Sequence, residues 1–84
     1  MTSSIHTDEM IALRSWLKTE REARSLSMRE LAERMGKPHS YIQKVEQGER
    51  RLDVVEYVWY CCALEIDPQE GLGFILKSLK KAQD

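Results

Sequence analysis

Residues 27–48 read SMRELAERMGKPHSYIQKVEQG, and the order of polar, apolar and breaker residues in this stretch decides the fold. Ser27, with Glu30 three positions on, is a capping box: hydroxyl and carboxylate reciprocally satisfy N–H groups that a first helical turn leaves free. Behind it Leu31, Ala32 and Met35 recur at helical spacing, so a helix is expected at about 28–35. Gly36 stands where helices commonly end in the left-handed conformation, and Pro38 cannot continue the preceding helix. Ile42 and Val45 then resume a helical stripe, which predicts a second helix at about 39–47 closed by Gly48. Ala32 is small where the two helices must cross closely, and Leu31, Met35, Ile42 and Val45 fill the space between them.

Outward from this stretch, three more helices are expected. Thr7 or Asp8 opens the first, at about 8–24, with Leu13, Trp16, Leu17, Arg21 and Arg24 as one stripe. Asp53 with Glu56 is another capping box, opening a helix at about 54–64 whose core stripe is Val54, Tyr57, Val58, Cys61 and Leu64. Asp67, Pro68 and Glu70 open a last helix at about 67–81, with proline at the first helical position. Gly71 and Gly73 each cost about 1 kcal/mol against alanine in a helix, so an irregular first turn is expected there. No segment alternates polar and apolar residues long enough to signal a strand. The fold class is therefore all-α: a five-helix domain over residues 8–84, preceded by a flexible N-terminal arm at residues 1–7.

Eighty-four residues make one domain near the lower limit at which an apolar core suffices, which makes an oligomer an expectation. With 42% hydrophobic and 32% charged residues, the chain is neither a disordered tail nor a membrane segment, and no apolar run approaches the roughly 20 residues that span a bilayer. No leader pattern opens the chain, and the expected location is the cytoplasm. Cys61 and Cys62 are adjacent and point about 100° apart on a helix, so they frame no disulfide. His6 and His39 stand alone, so neither a metal site nor a cofactor is expected. A net charge of −1 argues mildly against nucleic acid, but Lys37, Lys44, Arg50 and Arg51 concentrate in one central stretch as a candidate positive face.

Two short helices joined by a tight turn fit a helix-turn-helix, in which the second helix enters the major groove of DNA. Over about residues 13–68 the sequence resembles the phage-repressor and Cro-like family, also called the Xre family of bacterial and phage regulators. Glu30, Leu31, Ala32, Gly36, Ile42, Val45, Glu46 and Gly48 stand in register, followed by ERR at 49–51 and ALEIDP at 63–68. The resemblance implies a phage-repressor-like domain with its helix-turn-helix at helices two and three, double-stranded DNA as partner, and a structural ion pair between Arg21 and Glu46. It assigns His39, Ser40, Tyr41, Gln43 and Lys44 to the bases, where lysine suits guanine, glutamine suits adenine and the tyrosine ring suits a thymine methyl. Gln47, Arg50 and Arg51, with Arg29 on the first turn of helix two, are the implied phosphate contacts.

The chain departs from the family pattern at Pro38, where relatives often carry Ser or Thr as N-cap, and at Glu65, where glycine is frequent. A second apolar stripe on helix four, Val55, Trp59 and Cys62, is one that the family pattern does not explain. With Leu72, Ile75, Leu76 and Leu79 of the last helix it forms a candidate homodimer interface. The function expected is a sequence-specific repressor that binds a palindromic operator as a homodimer. The alternative is an antitoxin that also binds a toxin protein, a possible protein partner. No enzyme is expected and no catalytic residue is assigned, because Ser27 and Ser40 lack a base and the carboxylates serve caps and solvent-facing sites.

Overall fold

A computed structural model describes residues 7–83 of the chain, with side chains to Leu79; residues 1–6 of the expected N-terminal arm lie outside the described residues. Among them the chain forms five helices and no strand: α1 (Asp8–Ala23), α2 (Met28–Met35), α3 (His39–Glu46), α4 (Val54–Leu64) and α5 (Pro68–Gln83). No helix is long and apolar enough to cross a membrane among the described residues. The polar signals at the helix starts act as local chemistry requires. The Met10 N–H donates to Thr7 Oγ1 at 3.3 Å. Ser27 and Glu30 exchange two bonds of 3.0 Å, and Asp53 and Glu56 exchange bonds of 2.8 and 3.1 Å. The Ser27 N–H and hydroxyl hold the Glu30 carboxyl below the usual carboxylate range.

The core gathers Leu13, Trp16 and Leu17 of α1, Leu31 and Ala32 of α2, Tyr41, Ile42 and Val45 of α3, and Tyr57, Tyr60, Cys61 and Leu64 of α4. α3 packs mainly on α2, and α5 lies along α1, where the Trp16 and Phe74 rings approach to 5.7 Å. The Tyr57 hydroxyl donates to the Pro68 carbonyl and ties α4 to the start of α5.

Several residues sit elsewhere than their sequence spacing predicts. Arg24 leaves the α1 stripe: it is exposed at the helix C-cap and pairs with Glu20 at 3.3 Å. Val54 and Val58 do not line the core but are 73% and 41% exposed, while Tyr60 and Glu56 turn inward. At 100° per residue, positions 56, 57, 60, 61 and 64 share one side of α4, and a helix whose one charged residue turns inward gives no polar face from which to find it. The first turn of α5 is regular helix rather than irregular. Gly71 serves a close approach instead: a Cβ there would come within 2.7 Å of Trp16 Cζ3 and 3.1 Å of Leu13 Cδ1. Ile75 packs against the core and so leaves the candidate interface.

Candidate nucleic-acid interface

α3 buries Tyr41, Ile42 and Val45 and thereby turns its opposite side to solvent. His39, Ser40, Gln43, Lys44 and Gln47, all exposed, occupy an arc of roughly 140° on that side when each residue advances the helix about 100°. Gly36, with φ of 66°, makes the reversal between α2 and α3 in the left-handed region that glycine enters without steric cost. Pro38 is the N-cap of α3 and makes no side-chain cap bond.

The far end of α3 is held more tightly. Arg21 Nε and Nη2 donate to Glu46 Oε2 and Oε1 at 2.6 and 3.1 Å, and Arg21 Nη1 donates to the Leu26 carbonyl at 2.7 Å. Both side chains are almost wholly buried, at 9% and 3% exposure. The hydrogen bond to Glu46 holds the Arg21 proton more firmly than usual against the opposing effect of burial. A planar guanidinium fixed at three acceptors sets the angle between α1 and α3.

Tyr41 does not join the exposed face. Its ring is 6% exposed, and its hydroxyl donates to Glu56 Oε2 at 3.2 Å. Burial and the nearby Glu56 carboxylate push its pKa up to about 12. A ring so enclosed cannot meet a thymine methyl, and Tyr41 is a core residue rather than a base contact. The same carboxylate takes Arg50 Nη2 at 2.6 Å, so Arg50 is partly neutralised and braces the loop, although 40% of its side chain stays exposed. Arg51, Lys44 and Arg29 are exposed and pair with no carboxylate among the described residues. Their charge is uncompensated along α3, the following loop and the first turn of α2.

The sequence reading missed Arg14 near α3, and it placed Lys37 in the positive stretch without its aromatic contacts. The Arg14 guanidinium lies 2.6–2.8 Å from where a Cβ on Gly48 would stand, which brings α1 to the loop after α3. Its spacing of seven from Arg21 puts both on one face of α1 and was the available signal. Lys37 reaches the Tyr41 and Trp59 rings, a meeting that no local pattern announces.

Known proteins share this frame. Residues 17–70 match the helix-turn-helix family. An XRE-family like protein from Pseudomonas syringae pv. tomato is 36% identical over 88% of this chain and 90% of its own, with a TM-score of 0.80. The restriction-modification controller protein C.AhdI from Aeromonas hydrophila is 31% identical over 77% of this chain and 98% of its own, with a TM-score of 0.71. The clp gene regulator ClgR from Corynebacterium glutamicum is 25% identical over 92% of this chain and 84% of its own, with a TM-score of 0.75. No curated protein matches the chain.

Proposed function

This chain belongs to the XRE family of helix-turn-helix DNA-binding transcriptional regulators, and from that premise we propose that it is a cytoplasmic repressor that binds a palindromic operator as a homodimer. The observation that carries the reading is the exposed side of α3, where His39, Ser40, Gln43 and Lys44 project from a helix whose other side is core. Lys44 can donate to guanine O6 and N7, and Gln43 can pair with adenine, as major-groove base edges require. Gln47, Arg51, Arg29 and the free part of Arg50 serve the phosphates, which supply affinity and register rather than sequence.

Dimerisation is supported by exposed apolar residues on two helices, Val55, Trp59 and Cys62 on the outer face of α4 and Leu72, Leu76 and Leu79 on α5. A two-fold pairing of these surfaces would set two reading helices about 34 Å apart, one turn of the duplex. Selection of bound duplexes from a random pool tests the reading. Enrichment of an inverted repeat with half-sites about one turn apart is expected; enrichment of no sequence would reject it.

A further inference from the structure

Lys37 is the residue at which α2, α3 and α4 meet. Its N–H donates to the Ala32 carbonyl at 2.9 Å, which anchors its backbone to the end of α2. Its ammonium lies 5.5 Å from the centroid of the Tyr41 ring on α3 and 5.7 Å from that of the Trp59 ring on α4. Both distances fall within the range of about 6 Å at which an aromatic face attracts a cation. Among the described residues, ion pairs join Arg21 to Glu46, Arg24 to Glu20 and Arg50 to Glu56, and none includes Lys37. Two aromatic walls, rather than a carboxylate, therefore hold this charge.

The walls differ in their own support. Tyr41 is fixed from behind by its bond to Glu56 and carries the Arg50 guanidinium 4.8 Å from its ring centroid. Trp59 is 51% exposed and belongs to the apolar outer face of α4. The first turn of α3 lacks a side-chain cap, because Pro38 makes no cap bond whereas Thr7, Ser27 and Asp53 each bind the turn they open.

We propose that Lys37 is a positioning residue for DNA reading, a strut between Tyr41 and Trp59 that holds the first turn of α3 in its reading orientation and ties it to the α4 face. The inference rests on α3 being the reading helix. A turn already held in its bound geometry loses less freedom when it meets the base edges, so affinity rises without a new contact to DNA. Covering Trp59 by a second copy steadies the same strut, which links assembly to reading.

The test uses the full chain and the duplex that the wild type enriches from a random pool. Lys37→Met keeps the stem and removes the charge, while Lys37→Arg restores a cation that stacks on aromatic faces. Affinity is measured at several salt concentrations, together with the melting temperature and, in a Trp16→Phe background, the emission of Trp59. The expected result for Lys37→Met is near-wild-type melting, altered Trp59 emission, and binding weaker by about threefold to tenfold with an unchanged slope of log K against log salt. Lys37→Arg should recover most of the affinity. A slope shallower by about 0.9 would make Lys37 a direct phosphate contact and overturn the proposal. So would unchanged affinity, or a lowered melting temperature with normal affinity in the folded fraction. A wild-type chain that enriches no sequence would instead remove the reading of α3 on which the strut depends.

Discussion

Arg21 on α1 grips Glu46, the last residue of α3, through two hydrogen bonds of 2.6 and 3.1 Å, with both side chains out of water. Replacing Glu46 by alanine leaves Arg21 with the Leu26 carbonyl as its one remaining acceptor among the described residues. A buried guanidinium without its counter-ion costs about 3 kcal/mol. Denaturant melts of Glu46→Ala should show a loss of that size. A loss below about 0.5 kcal/mol would mean that the pair behaves like a surface ion pair.

Glu65 closes α4 at φ 60° and ψ 43°, the left-handed conformation that a side chain enters at a cost. Glu65→Gly removes that strain but gives back some freedom in the unfolded chain, so a net gain of about 0.5–1 kcal/mol is expected. In a domain of this size each kcal/mol raises the melting temperature by roughly 4–8 °C. Glu65→Ala keeps the Cβ and should melt close to wild type; a similar gain from alanine would trace the effect to lost charge instead.

How far the fold could be read beforehand follows from where each signal resides. Helix limits rest on residues three or four apart, as Ser27 with Glu30 and Asp53 with Glu56 show, so the bounds of α2 and α4 were accessible from the chain itself. The orientation of α4 was not, because VVEYVWYCCAL is apolar all round and its one carboxylate faces inward. Glu56 can do so because Tyr41 and Arg50 reach it from fifteen and six residues away. That same convergence is why Tyr41 looked available to DNA when it is held within the domain. Tyr60 was invisible for a related reason: its ring fills the core while its hydroxyl makes no hydrogen bond among the described residues. The exposed side of α3, by contrast, follows from the spacing of Ile42 and Val45 alone.

The exposed apolar residues of α4 and α5 predict the assembly state. Trp59 on α4 and Leu76 on α5 are large apolar side chains left 51% and 58% exposed. Trp59→Ala together with Leu76→Ala removes the expected anchors and touches little of the core. Sedimentation should find a helical monomer that has lost most of its affinity for a two-half-site duplex. A double variant that still sediments as a dimer would place the interface on another surface.

Lys44 and Arg51 separate reading from anchoring, because one projects from α3 and the other from the loop that follows it. Loss of a base-edge donor should cost Lys44→Ala about 1–3 kcal/mol on the best duplex and relax preference at one base pair, with little change on unrelated DNA. Arg51→Ala should weaken all duplexes nearly alike and reduce the slope of log K against log salt by about 0.9, as the loss of one phosphate contact requires. Titrations of both variants at matched salt, on the selected duplex and on a scrambled one, decide between these roles. If the two variants lose the same sequence-independent affinity, Lys44 contacts the backbone, and sequence must be read by His39, Ser40 and Gln43.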